Sequence, residues 1–209
     1  MAEHEIELGT WSRTGQFELF RGYQTPRYTI TSRIDVSRLL NDAKPRDVSA
    51  YRACLFAIGA GVHAVPELLM RFRGDRVFRH DAVELSMTVP QVAGGFGYAY
   101  VPFVEEFGAF DAQSRFIIDQ VAQGGVLAPN TGQRDDLAYL SCLPWMDFTS
   151  ISNALPGPED CIPRISWGKF VERGDGWDMA MALDVHHALV DGEQVGRFFD
   201  LVQRALDRV

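Results

Sequence analysis

The sequence predicts an α+β fold: a two-layer sandwich in which helices pack on one face of a mixed or antiparallel sheet. Strand-like segments outnumber helical ones, and they do not alternate regularly with helices as a Rossmann-type sheet requires. A third observation is the run Arg173-Gly174-Asp175-Gly176, a strong hairpin signal that joins two strand-like segments directly. Taken in order, residues 28–34 alternate and are rich in β-branched side chains, so they read as a strand. Residues 35–40 follow as a short capped helix. The Ala-rich apolar segment 49–64 reads as a buried helix with Ser49 as its N-cap. Residues 85–89 and 98–104 read as strands, divided at Gly94-Gly95-Phe96-Gly97 by a turn or bulge. Residues 110–123 have helical periodicity, and residues 137–143, 162–172 and 177–185 read as strands. An amphipathic helix over about 194–208 closes the chain.

A chain of 209 residues, 46% hydrophobic and 23% charged, fits one domain over residues 1–209 with a substantial core. No repeat, low-complexity segment or Pro/Gly/Ser linker divides it. The net charge of −8 argues against nucleic acid or an anionic membrane as a partner, though it leaves room for a local basic patch toward a phosphorylated cofactor. Cys54, Cys142 and Cys161 are odd in number and lack metal-ligand spacing, so no metal is expected and a reducing cytosolic setting is the simplest inference. The acidic start Met1-Ala2-Glu3-His4-Glu5 is unlike a signal peptide. The longest apolar stretch, residues 54–65, is too short to span a bilayer and carries His63. The expectation is a soluble cytoplasmic protein.

Chemistry concentrates in His186-His187-Ala188-Leu189-Val190-Asp191-Gly192. Histidine takes and returns a proton near neutral pH, an aspartate four residues on can hold geometry or a counter-charge, and the glycine suits a turn into the last helix. An isolated histidine pair at a strand end is more often a satisfied structural group. A general base also needs an acceptor, an electrophile and a donor for the resulting oxyanion. Candidate hydroxyls lie in Trp145-Met146-Asp147-Phe148-Thr149-Ser150 and at Ser166, although ordinary turn and strand hydroxyls look the same. No Gly-x-Ser-x-Gly elbow marks a nucleophile, which favours direct transfer over a covalent acyl-enzyme.

These residues resemble the HHxxxDG motif of coenzyme A-dependent acyltransferases, and nearly the whole chain resembles the chloramphenicol acetyltransferase family. Several patches keep the family order. They are Trp11-Ser12-Arg13 with Phe17 and Phe20, Ser49-Ala50-Tyr51-Arg52, Pro66-Glu67-Leu68-Leu69-Met70-Arg71, Pro144-Trp145 with Phe148-Thr149-Ser150, and the strand from Pro163 to Phe170. Only the last patch, His186 to Arg197, is diagnostic alone.

The resemblance implies a chloramphenicol acetyltransferase-like fold, acetyl-coenzyme A as co-substrate, a chloramphenicol-like acceptor, and a homotrimer with active sites between subunits. By position it makes His187 the general base, Ser150 the oxyanion donor, and Asp191 a structural partner of Arg13. Without the motif, Arg13 and Asp191 would pass for solvated surface charges. Arg52 and Lys169 stand where the family has lysines near coenzyme A, and Ser166 replaces a threonine near acceptor and cofactor.

The departures bear on the acceptor. Phe20 takes the place of a pocket tyrosine, Glu193 that of an aromatic, and residues 91–100 replace a Glu/Thr-rich stretch and resist alignment. Phe96 and Tyr98 are candidate pocket aromatics there, although alternating strand aromatics are more often core or cross-strand pairs. The open alternatives are a different hydroxyl or amine acceptor, or an inactive homologue that only binds. A third, the dihydrolipoyl acyltransferase domain, shares the motif, but no lipoyl or peripheral-binding module precedes this chain.

Overall fold

The computed structural model describes residues 2–124, 129, 130 and 132–209; Met1, the first residue of the acidic start, lies outside them. The first half of the chain forms β1 (Glu3–Ile6), α1 (Thr14–Arg21), β2 (Arg27–Asp35), α2 (Ala50–His63), β3 (Met70–Arg73), β4 (Arg76–His80), β5 (Glu84–Pro90) and β6 (Phe96–Pro102). The second half forms α3 (Phe107–Ala122), β7 (Leu137–Leu143), β8 (Arg164–Gly168), β9 (Val171–Arg173), β10 (Gly176–His186) and α4 (Gly192–Leu206). The main sheet has the order β2-β10-β8-β7-β5-β6, with β9 pairing beside β10. In it β7 runs parallel to β5 and β8, while the other pairs are antiparallel. A smaller sheet has the order β1-β4-β3. The fold is the expected mixed α+β sandwich.

Alternation aims one face of the main sheet at the helices. On β6, Gly97, Ala99 and Val101 are buried while Tyr98 and Tyr100 are only half-buried. The central strand β10 is buried along most of its length, as a strand covered on both faces must be. Ser49 caps α2 as expected, its Oγ accepting from Arg52 N at 3.4 Å. Two glycines set how closely α2 packs. A Cβ on Gly59 would lie 2.5 Å from the Phe103 ring, and one on Gly61 would lie 2.9 Å from Phe198 and Val202 of the last turns. The amphipathic α4 buries Val195, Phe198, Phe199, Val202 and Leu206 against it.

Three local expectations are corrected. The strand read over 162–172 breaks at Lys169-Phe170, because β8 ends at Gly168. The Met146 carbonyl oxygen passes 2.6 Å from where a Gly168 Cβ would stand and accepts from Lys169 N at 2.9 Å, so a neighbouring loop takes the ladder position. The helix read over 35–40 begins later: Asp35 completes β2, and residues 39–43 wind as a wide π turn. Finally, β1, β3, β4 and α1 escaped the sequence reading. They are short, and arginines interrupt the apolar alternation of β3 and β4. None of the described helices is long and apolar enough to cross a membrane.

Candidate active site

The motif occupies the turn from β10 into α4. Ala188, Leu189 and Val190 are buried, which fixes the turn to the core, and Leu189 N and Val190 N donate back to the His186 carbonyl. Asp191 is the N-cap of α4 in a reciprocal capping box, in which its own N–H donates to Gln194 Oε1 at 2.9 Å. The two histidines separate completely in environment.

His186 is 1% exposed, and both its ring nitrogens are engaged. Nε2 donates to the Pro158 carbonyl at 3.0 Å, and Nδ1 accepts from Ala188 N at 3.2 Å. Burial pushes its pKa down from 6.5 to about 4, so the ring stays neutral and structural. Above pH 6.5 it is neutral in the folded and unfolded chain alike. Below that, the unfolded chain takes up a proton that the folded one refuses until about pH 4. Stability therefore falls through this window, by up to about 1.4 kcal/mol per pH unit from this group. Urea denaturation at pH 7 and pH 5 checks this: His186→Asn loses less stability over the interval than wild type, and equal losses would contradict the assignment.

His187 keeps 36% of its side chain exposed. Its backbone N–H donates to the Pro26 carbonyl at 2.9 Å. The imidazole stacks on Phe20, with centroids 3.9 Å apart and planes 6° from parallel, and lies 4.7 Å from the Tyr28 ring. Nδ1 is sealed from solvent 3.1 Å from Asp191 Oδ1, which leaves the Nε2 edge as the open one.

Arg13, at the N-cap position of α1, spans the turn. Its Nε donates to the Ala188 carbonyl at 3.1 Å, and Nη2 donates to the His187 carbonyl and to Asp191 Oδ1, both at 2.7 Å. Nη1 completes the fork on Asp191 Oδ2. These bonds hold the Asp191 carboxyl below its ordinary pKa, with the adjacent His187 adding to the effect. The Arg13–Asp191 pair is present, and Asp191 also faces the His187 imidazole, with Oδ1 3.1 Å from Nδ1.

The other predicted residues scatter. Ser150 is exposed in the loop after β7, and among the described residues no hydrogen bond joins it to His187. That loop is pinned nearby: Asp147 accepts from Arg33 at 2.5 Å and from Arg173 at 2.6 Å, and both arginines also pair with Asp178. Ser166 is buried on β8, opposite Ser141 of β7 and Ala182 of β10. Lys169 is exposed at the mouth of a cavity of about 460 Å³ lined by Tyr51, Cys142, Pro144, Trp167 and Phe170. Arg52 is engaged within the chain. It is paired with Asp111 of α3, at 2.6 Å from Nε and 3.1 Å from Nη2, so its charge is already balanced. Phe96 and Tyr98 lie at the other edge of the sheet. They form an edge-on pair on β6, the far edge of the order β10-β8-β7-β5-β6, so at about 4.8 Å per strand they stand roughly 19 Å from the His187 end of the same chain.

Sequence reasoning missed Tyr28, Pro26 and a buried charge cluster beneath them. Arg27 Nε donates to Asp184 at 2.6 Å, and Arg27 Nη1 to the Asp160 carbonyl at 2.7 Å. The β2–β10 register, which pairs Arg27 with His186 and Tyr28 with Val185, brings these groups to the motif. Only one cluster among the described residues has metal-ligand types, Glu3, His80 and Asp135. Arg73 donates to both of its carboxylates at 2.7–2.9 Å, so a guanidinium already supplies the cation there.

A half-open imidazole, braced by a carboxylate–guanidinium pair at the end of a central strand in an α+β sandwich, is a group that can exchange a proton with a bound molecule. The chain belongs to the chloramphenicol acetyltransferase family, which it matches over residues 1–203. It is 26% identical over 208 residues to a chloramphenicol acetyltransferase of Staphylococcus aureus, covering 98% of this chain and 96% of that one. A solved chloramphenicol acetyltransferase has a TM-score of 0.89 at 26% identity, covering 98% of this chain and all of the other. A probable dihydrolipoamide acetyltransferase from Listeria monocytogenes shares the fold at a TM-score of 0.69 and 11% identity, covering 100% of this chain and 95% of that one.

Proposed function

We propose that this protein is a cytoplasmic acetyl-coenzyme A-dependent O-acetyltransferase that acetylates a hydroxyl of chloramphenicol or a similar small molecule. The observation that carries the reading is His187, braced on its Nδ1 side and open at Nε2. In the proposed step, His187 Nε2 takes the proton of the acceptor hydroxyl as its oxygen attacks the thioester carbonyl. Ser150 donates a hydrogen bond to the oxyanion. The tetrahedral intermediate then collapses, the C–S bond breaks, and the imidazolium returns its proton to the leaving thiolate. Asp191 faces Nδ1, which favours the tautomer with its proton there and its lone pair on Nε2. Lys169 at the Tyr51–Trp167 cavity is the free cation suited to a phosphate of the co-substrate, and Ser166 lies on the strand leading to it.

The active unit in this reading is a homotrimer whose sites lie between subunits. Among the described residues no hydrogen bond joins Ser150 to His187 within one chain, which fits a site that takes its base from one subunit and other groups from the next. A different small hydroxyl or amine acceptor is the second reading, favoured by Phe20, which turns a ring without a hydroxyl toward the base.

Thiol release from acetyl-coenzyme A in the presence of chloramphenicol, or of a panel of alcohols and amines, tests the activity. A wild type that turns over no acceptor sinks the reading. Ser150→Ala is expected to lower kcat about 10²-fold with little change in KM. Co-expression with His187→Ala then checks the shared site. Hybrid trimers recover activity where a subunit with intact His187 meets a neighbour with intact Ser150. No recovery would place both groups in one chain's site.

A further inference from the structure

We propose that the cleft where α2, the end of α4 and the β6–α3 connection meet is a second binding site, one for a small amine with an aromatic body. The cavity has a volume of about 570 Å³, within the range that holds drug-sized molecules. Its floor is apolar. Phe56, Ala60, His63 and Ala64 recur along α2 at spacings of four, three and one residues, which sets all four on one face of the helix. Phe103 and Phe107 close the opposite side, with ring centroids 5.8 Å and 5.2 Å from that of Phe56. The cleft is separate from the motif. Asp191 caps one end of α4 and Ala205 lines the cavity at the other, so at 1.5 Å per residue roughly 21 Å lies between them.

Charge decides the class of occupant. His63 is spent on the fold: Nδ1 donates to the Gly59 carbonyl at 2.8 Å, Nε2 accepts from Val83 N at 3.2 Å, and the ring stacks on Phe103 at 4.7 Å. Burial holds its pKa below the ordinary value, against the pull of those two bonds and of the nearby Glu105 charge. It therefore offers a flat neutral ring. The rim carries Glu105 and Glu106. Glu106 caps α3, accepting from Gly108 N at 2.7 Å and from Ala109 N at 2.5 Å. Among the described residues no ion pair or hydrogen bond takes up the Glu105 carboxylate. Its charge stands beside aromatic rings whose faces are also negative, and both attract a cation. The lining cation, Arg208, is exposed beyond the last turn of α4, and the two carboxylates outnumber it. An ammonium between Glu105 and the phenylalanines, its aromatic body in the cleft, meets a charge that the fold leaves unpaired. The same body covers Phe103 and Phe107, which the fold leaves half-buried.

Ligand-observed NMR titration with three probes of one body and different charge tests this: 1-naphthylmethylamine, 1-naphthylmethanol and 1-naphthaleneacetate. The amine is expected to bind wild type with a Kd of about 0.1–1 mM, the alcohol about tenfold more weakly and the carboxylate more weakly still. Ala64→Trp, which fills the cleft with an indole from an exposed position, is expected to abolish binding of the amine. Glu105→Gln, also at an exposed position, is expected to weaken the amine about fivefold and to leave the alcohol unchanged. Both positions lie outside the core, and a thermal midpoint close to that of wild type checks that each variant is folded. Amine binding that survives Ala64→Trp lies elsewhere and overturns the proposal, as does a wild type that binds no amine at millimolar concentration. Tighter binding of the carboxylate, or a Glu105→Gln protein with wild-type affinity for the amine, overturns the assignment of the cleft to a cation.

Discussion

Replacing His187 by alanine is expected to lower kcat about 10³-fold or more with little change in stability. A positioned general base contributes about 10²–10⁴-fold, and neither of the other titratable side chains of the motif is free to take its place. His186 is adjacent in sequence but spends Nε2 on the Pro158 carbonyl and Nδ1 on Ala188 N, and its pKa near 4 makes it a poor base at neutral pH. Asp191 is tied to Arg13 by a bidentate fork. The bonds that fix the turn use backbone atoms of residue 187, its N–H to Pro26 and its carbonyl to Arg13, so the substitution leaves them intact. What the fold loses is one aromatic stack, worth about 0.5–1.5 kcal/mol. Activity and denaturant midpoint measured on the same preparation decide the matter. Retention of a tenth or more of wild-type kcat would show that another group accepts the proton. His186→Ala should show the reverse pattern, losing stability first.

Why the two histidines were separable only in part from sequence is a matter of register. The motif itself marked the β10–α4 turn, because a strand of apolar alternation ends there and an amphipathic helix with a capping aspartate begins. Which ring faces solvent depends on how Arg27 and Tyr28 of β2 pair with β10, and that register is written in no local pattern. The same holds for Arg13 and Asp191, which stand 178 residues apart in the chain. Their pairing came from family resemblance, and the structure added the contact of Asp191 with His187.

Other long-range contacts are equally hidden from local pattern. The partner of Arg52, Asp111, lies on α3, and no periodicity links the two helices. The place of Phe96 and Tyr98 at the edge of the sheet is likewise set by strand order, which no local pattern records. The small sheet is hard to see because β3 and β4 are short and carry Arg71, Arg73, Arg76 and Arg79 between their few apolar residues. One of those arginines is wholly buried, which residue type alone argues against.

That residue, Arg71, carries the largest expected stability effect: Arg71→Met is expected to destabilise the fold by about 3–5 kcal/mol. The guanidinium has no exposed surface, and it is held by peptide carbonyls. Nε donates to Asp135 O at 2.7 Å, Nη1 to Leu68 O at 3.0 Å and Met70 O at 2.5 Å, and Nη2 to Leu137 O at 2.5 Å. One side chain thus ties the turn before β3 to the residues that enter β7. Two effects oppose each other in the methionine variant. Burial disfavours the charged form and lowers the arginine pKa, so removing the charge relieves a real penalty of several kcal/mol. Against this, four buried carbonyls lose their donor at once, and each orphaned group costs about 1–3 kcal/mol. The carbonyls win because methionine fills the volume but offers no N–H to any of the four. Arg71→Lys separates charge from geometry. Its ammonium keeps the charge, but a compact head with three donors cannot reach four carbonyls in two separate segments, so it recovers only part of the loss. Urea denaturation of the three proteins, with m-values compared, reads this directly. A methionine variant within about 1 kcal/mol of wild type would mean that the carbonyls find other partners and that the buried charge was the larger cost.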